Sequence, residues 1–170
     1  MPPRFTIEPL GPHHDRTAFS CGSASLDDFI KTKVRKENEL GYCAVFILVE
    51  ESGSSPIVGY YSLSSHSVTL KGIDSASRKK LPKHPVVPAT LIGRLARDRR
   101  FRAQGVGEFL LIDALKRALQ SSAQVGSYAV TVDAIDDAAI VFYSKFGFVP
   151  PIGHPNRLYL PIASIKRLGL

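Results

Sequence analysis

The chain has 170 residues, enough for one domain and one hydrophobic core but not for two. Its composition, 44% hydrophobic and 22% charged with mean hydropathy near zero, is that of a soluble globule, and no apolar run nears the roughly 18 residues that span a bilayer. Lysine and arginine outnumber aspartate and glutamate by 22 to 15, a net charge of +7 that draws in polyanions, phosphate-rich coenzyme and nucleic acid alike.

The first residues, Met1 to Phe5, carry no apolar block or small-residue cleavage site of a secretory leader. Cys21 and Cys43 lack metal-ligand spacing, so neither a metal nor a membrane is expected, and the reducing cytoplasm is the expected compartment. Arg4 to Leu10 alternates loosely and predicts an opening strand. Ser25 and Asp28 stand at capping spacing before Leu26, Phe29, Ile30 and Val34, which predicts a helix ending at Gly41. Strands are predicted at Tyr42–Glu50 and Ile57–Leu70, joined by a turn over 51–56.

From Lys71 to Pro88 three prolines and five basic residues, including Arg78, Lys79, Lys80 and Lys83, predict a basic surface loop with room for one short helix. Ala89–Asp98 reads as a strand. Val106, Leu110, Ala114, Leu115 and Ala118 recur at helical spacing after Gly105, giving a helix of about four turns. Tyr128–Val132 reads as a short buried strand, and Asp136 opens a helix that stops at Gly147. Phe148–Val149 and Arg157–Leu160 predict a closing pair of strands around turns at Pro150-Pro151 and at 153–155. The order is β-α-β-β-β-α-β-α-β-β, an α+β arrangement (a mixed α/β sheet) expected to form one domain over residues 1–170.

Chemistry concentrates where the strand ending at Asp98 turns into the helix after Gly105. Free amides at a helix N-terminus, with the positive end of its dipole, form an anion site. Gly105 and Gly107 keep side chains away from those amides, and Arg102 adds charge. The glycines do not form the G-x-G-x-x-G of dinucleotide folds.

Arg102-Ala103-Gln104-Gly105-Val106-Gly107 matches the R/Q-x-x-G-x-G/A signature and resembles the coenzyme A pyrophosphate loop of GNAT acetyltransferases. Ile92-Gly93-Arg94-Leu95-Ala96-Arg97-Asp98 resembles the fourth strand of that superfamily, whose backbone pairs with the pantetheine arm. Val132-Asp133-Ala134 and Phe142-Tyr143-Ser144-Lys145-Phe146-Gly147-Phe148 resemble its fifth strand and the end of its last helix. The resemblance implies a central mixed, mostly antiparallel twisted sheet flanked by helices, acetyl-CoA as co-substrate, and no metal. It implies coenzyme contacts from Leu95, Ala96 and Arg97 and from the run Arg102, Ala103, Gln104, Gly105, Val106, Gly107 and Glu108. Tyr143 takes the place of the general acid: a phenol is protonated at pH 7 and can donate a hydrogen bond to the departing thiolate. No general base is assigned: Glu108 reads as helix surface, Asp98 as a cap or an arginine partner and His66 as a structural strand histidine, and a weakly basic α-amine needs no base.

Phe19-Ser20-Cys21-Gly22-Ser23-Ala24-Ser25-Leu26-Asp27-Asp28-Phe29-Ile30, Gly59-Tyr60-Tyr61-Ser62-Leu63 and Leu91-Ile92-Gly93-Arg94-Leu95-Ala96 resemble segments of TacT-type toxins. Arg97 departs from the apolar residue usual there, and Arg102 from the more common glutamine. The resemblance implies acetylation of the α-amine of aminoacyl-tRNA, arrest of translation, a ribbon-helix-helix antitoxin partner and a homodimer. Lys31, Lys33, Arg35 and Lys36 near the first helix, Arg94, and the Arg78–Lys83 cluster are the expected contacts to tRNA phosphates. Acetylation of a small amine or a protein lysine, and a non-catalytic coenzyme- or RNA-binding module, are the competing readings.

Overall fold

β-Rich segments with inward-facing Val, Ile and Tyr build the sheet, seen here in a computed structural model that describes residues 4–51, 56–154 and 156–170. Six strands, β1 (Phe5–Pro9), β2 (Ala44–Glu50), β3 (Gly59–Thr69), β4 (Val86–Arg97), β5 (Ala129–Asp133) and β6 (Arg157–Pro161), lie in the order β1-β2-β3-β4-β5-β6. β1/β2, β2/β3 and β5/β6 pair antiparallel and β4/β5 parallel, so the sheet is mixed as expected. Helices α1 (Ala24–Asp28), α2 (Val34–Glu39), α3 (Ser75–Arg78), α4 (Val106–Ser121), α5 (Asp137–Ser144) and α6 (Ile162–Arg167) complete the chain.

The chain divides into two compact units, with the boundaries falling inside β3, β4 and α4. The first runs up to Ser64 and adds Gly93–Ala114. Its core joins Phe19, Phe29, Ile30, Val34, Val45, Ile47, Ile57, Tyr60 and Ala96. Tyr60 lies edge-on to Phe19 and stacks on Phe29, and its hydroxyl reaches the Leu26 carbonyl at 2.7 Å, so a buried phenol is satisfied. Gly59 is required by close approach: a Cβ there would stand 2.8 Å from both the Ala96 carbonyl oxygen and Leu110 Cδ1. The second unit holds Ser65–Ile92 and Leu115–Leu170, with a core of Val68, Ile73, Val87, Ala129 and Tyr159.

The helix predicted before Gly41 is present but interrupted. Between α1 and α2, residues Phe29–Lys33 form a π-helical turn in which the Val34 amide bonds to the Phe29 carbonyl. In a regular α-helix, residues five apart face about 140° away from each other; the wider turn brings Phe29, Ile30 and Val34 into one core, all at most 1% exposed. The predicted Ser25/Asp28 capping pair is corrected. Ser23 occupies the N-cap without a side-chain bond, and Asp27 instead accepts from the Cys21 amide at 2.8 Å. Gly41 ends the helix at φ +77°.

β4 begins at Val86, earlier than expected, which shortens the basic segment to a 3-10 turn (Leu70–Gly72), α3 and a short extended stretch. The first of the two closing strands is reduced to one bridge: Val149 and Tyr159 exchange both backbone bonds, and Pro151, lacking the N–H that the next hydrogen-bonded pair needs, ends the ladder there. The chain instead adds α6 after β6. Residues 52–55 of the predicted turn and residue 155 of the last one lie outside the described residues, as do residues 1–3.

Candidate active site

The loop between β4 and α4, where coenzyme contacts are expected, lies within the first unit. Asp98, 1% exposed, accepts from the amides of Ser20 and Arg100 and from the Arg100 guanidinium, all at 2.9–3.0 Å. Burial pushes its carboxyl up, but these donors together hold it below the usual carboxylate range. Arg99 joins the clamp by donating to the Ser20 hydroxyl at 2.6 Å and, through its amide, to the Ser20 carbonyl at 2.8 Å. Asp98 is therefore a structural cap of the Arg99–Phe101 turn, with every direction around it used for anchoring. It is not free to act as a base.

Beyond this anchor the backbone turns left-handed twice, at Ala103 (φ +58°) and at Gly105 (φ +71°). A Cβ on Gly105 would meet nothing within 4 Å, so the glycine answers to backbone conformation and leaves open space above it. The Phe109 amide bonds to the Gly105 carbonyl at 3.0 Å, which starts α4 and leaves the amides of Val106, Gly107 and Glu108 without intrahelical acceptors. Arg102, Ala103 and Gln104 are exposed beside them, and Arg102 has no ion-pair partner among the described residues. Glu108 sits exposed in the first turn of α4.

β4 supplies the second element. Its parallel pairing with β5 runs from Ala89↔Ala129 to Ile92↔Val132, while β4 itself continues for five further residues, Gly93–Arg97. The Leu95, Ala96 and Arg97 backbone thus extends past that ladder. Nε of Arg97 is buried without a hydrogen-bond partner among the described residues, a donor awaiting an acceptor. The helix amides and the exposed Arg102 beside them are donors of the kind an anion binds at a helix start.

Tyr143 lies in the second unit, on α5. Asp136 caps that helix by accepting from the Ala139 amide at 2.8 Å, and Gly147, at φ +96°, ends it. The Tyr143 ring is 7% exposed and edge-on to Phe142 and Phe148, at 5.1 and 5.5 Å. Its hydroxyl has no hydrogen-bond partner among the described residues. Burial alone pushes the phenol up to about 12, so it stays protonated across the physiological range. In the same unit His66 Nε2 is buried without a partner among the described residues, and burial, then Arg157, lowers its basicity.

A family model of the acetyltransferase (GNAT) family matches residues 13–148. The chain belongs to the GNAT acetyltransferase family. This GNAT protein is 34% identical over 170 residues to the probable toxin TacT of Sinorhizobium fredii, covering 95% of this chain and 93% of that one. It is also 34% identical over 154 residues to a tRNA-acetylating toxin of Mycobacterium tuberculosis, at 91% and 90% coverage. Among solved structures it is similar to AtaT complexed with acetyl-methionyl-tRNAfMet (29% identity, TM-score 0.91, covering 98% of this chain and 100% of that one). It also resembles a mutant AtaT toxin bound to the C-terminus of the antitoxin AtaR and acetyl-CoA (27%, TM-score 0.82, 97% and 98%).

Within this GNAT chain the basic side chains differ in how free they are. Lys33 pairs with Asp28 at 3.2 Å and Arg35 with Glu39 at 2.9 Å, whereas Lys31 and Lys36 are exposed without acidic partners among the described residues. Arg94 lies 3.6 Å over the Phe29 ring and 3.7 Å from Glu37, so much of its charge is spent inside the fold. Lys79, Lys80 and Lys83 are exposed, Arg78 is half-buried, and none has an acidic partner among the described residues. Asp98 caps a turn and pairs with an arginine, as its place before a basic turn suggests, but its bond to the Ser20 amide, 78 residues away in sequence, has no local signal. No helix among the described residues is long and apolar enough to cross a membrane.

Proposed function

We propose that this protein transfers the acetyl group of acetyl-CoA to the α-amine of aminoacyl-tRNA, and that it acts as the toxin of a toxin–antitoxin pair in the cytoplasm. The observation that carries the reading is the loop after Asp98, where left-handed Gly105 opens α4 and frees three amides. Those amides and Arg102 hold the coenzyme diphosphate, and the β4 extension at Leu95–Arg97 lines up its arm. The coenzyme supplies an acyl thioester activated toward amines. Tyr143 donates its phenolic hydrogen bond to the departing sulfur, while the α-amine, near 7.7–8.0 when free and lowered further by the ester that joins its carboxyl to tRNA, enters with a substantial neutral fraction and without a dedicated base.

The relatives support the acceptor, and so does the unpaired charge at Arg78, Lys79, Lys80 and Lys83 and at Lys31 and Lys36. Lys33 and Arg94 serve less directly, given their partners. A ribbon-helix-helix antitoxin is the proposed regulator and a homodimer the proposed assembly, with residues 1–170 acting as one catalytic domain.

Incubating the protein with charged tRNA and labelled acetyl-CoA tests the assignment: label is expected on the aminoacyl moiety. Label confined to a small amine or a protein lysine would contradict it. Reversing charge with Arg78→Glu, Lys79→Glu and Lys80→Glu is expected to weaken acetylation of tRNA-borne amines about tenfold or more at moderate salt. A small free amine should be acetylated as before; equal loss for both would remove these residues from the tRNA surface.

A further inference from the structure

A cluster outside the coenzyme loop has the makings of a metal site. Glu8 Oε1 on β1 lies 2.6 Å from His14 Nε2 and 2.9 Å from His13 Nε2, so two neighbouring imidazoles aim their outer nitrogens at one carboxylate oxygen. Their rings sit 4.0 Å apart. All three ligand atoms lie within 4.8 Å of one another.

Three features set this cluster apart from a chance meeting on the surface. His14 is 8% exposed, and its Nδ1 stands 2.9 Å from the Gly11 amide and 3.2 Å from the Gly11 carbonyl oxygen. Either tautomer therefore has a partner for Nδ1, and Nε2 can release its proton and coordinate while the Nδ1–H bonds to a carbonyl, the usual support of a metal-bound histidine. Next, His13 turns its ring back over Gly11: a Cβ there would fall 2.8 Å from His13 Cε1 and Nδ1, so glycine makes room for the pose that points Nε2 at Glu8. Finally, the cluster opens on a groove of about 740 Å³ that Asp15, Glu50 and Glu51 also line, together with Arg100, whose guanidinium pairs with Asp98, so the groove offers an entry path with an excess of carboxylates in a protein of net charge +7.

The geometry points to a divalent transition-metal site formed by Glu8, His13 and His14, with zinc as the natural occupant of two imidazoles and one carboxylate. Metal–ligand bonds of about 2.0–2.2 Å place tetrahedral ligand atoms about 3.3 Å apart, so the two imidazole nitrogens, now 2.6 and 2.9 Å from the Glu8 oxygen, must draw back from it by roughly 0.4–0.7 Å. The ion displaces the two shared protons and ties β1 to the Gly11–Asp15 loop, apart from the acetyl-transfer chemistry.

Zinc chloride titrated into the metal-stripped full-length protein tests this by calorimetry, with cobalt(II) absorption as a second readout. One equivalent is expected to bind, with affinity falling at least about tenfold in His13→Ala and in Gly11→Ala and staying unchanged in His84→Ala. Zinc should also raise the melting temperature of the wild type but not of His13→Ala. Glu8→Gln keeps a hydrogen-bond acceptor for both rings and serves as the second variant if His13→Ala folds poorly; it too should lose affinity. No binding by the wild type, or equal binding by His13→Ala and Glu8→Gln, would overturn the site. Neither result bears on acetyl transfer.

Discussion

Tyr143→Phe is expected to lower the acetyl-transfer rate by about 10²–10⁴-fold, the range for a positioned proton donor. The fold should survive. The phenylalanine ring keeps the edge-on contacts to Phe142 and Phe148, and no hydrogen-bond partner among the described residues is orphaned when the hydroxyl goes. The affinity for acetyl-CoA should also be retained, so the loss appears in kcat. With the phenol near 12 and a thiol near 8.5, full proton transfer to a free thiolate is uphill by about 3.5 units, roughly 5 kcal/mol. Tyr143 therefore acts by hydrogen bonding, and the proton that finally reaches sulfur comes from the acetylated amine. The pH–rate profile should accordingly rise with deprotonation of the amine and show no limb from Tyr143 below about pH 10. A Tyr143→Phe protein with wild-type kcat would remove the tyrosine from the mechanism.

Asp98→Ala is expected to be the most damaging substitution near the loop, costing about 2–4 kcal/mol of stability. It strips the Ser20 and Arg100 amides of their acceptor and leaves Arg100 without its partner. The loop residues Arg102–Gly107 follow within a few positions, so coenzyme affinity should fall with stability. The pH dependence has a defined sign. Because Asp98 is held below its unfolded value near 3.9, its contribution is fully present above that value and fades as pH falls through the lower folded one. Denaturant titrations from pH 7 to pH 2 check this: the stability gap between wild type and Asp98→Asn should narrow on acidification. Glu8, Asp15, Asp28 and Asp74 are lowered as well and contribute to both curves, so the difference isolates Asp98. A gap that widens toward pH 2 would contradict the assignment.

Much of this architecture is written in local patterns. Gly105, Gly147 and Gly41 mark left-handed positions that few other residues accept, so helix limits there were readable. The helical spacing of Val106, Leu110, Ala114 and Ala118 foretold α4, and Asp136 foretold the cap of α5. Long-range partners were less accessible. Nothing near Ser20 announces that its amide bonds to Asp98, and the π-helical turn at Phe29–Lys33 arises from tertiary packing that ordinary periodicity does not encode. At Val149 a strand pattern was genuine, but Pro151, without the N–H the next hydrogen-bonded pair needs, limited it to one pair. α6 was missed because it spans only six residues, although Pro161 before it, Lys166 and Arg167 in its last turn and Gly169 after it are ordinary boundary signals. For the proposed tRNA surface, charge was visible while its compensation was not: Lys33, Arg35 and Arg94 have acidic or aromatic partners that only the folded chain brings near.

In the proposed mechanism the amides freed at the start of α4 hold a coenzyme diphosphate. Calorimetric titration of the wild type and of Gly105→Val with acetyl-CoA tests it most directly. A β-branched residue fits poorly at φ +71°, costing about 1–2 kcal/mol, yet a Cβ there meets no neighbour within 4 Å, so the variant perturbs the loop without disturbing packing. Saturable binding at one site per chain is expected in the wild type, and at least about tenfold weaker binding in Gly105→Val. Absence of saturable heat in the wild type, or equal affinity in the two proteins, would contradict it.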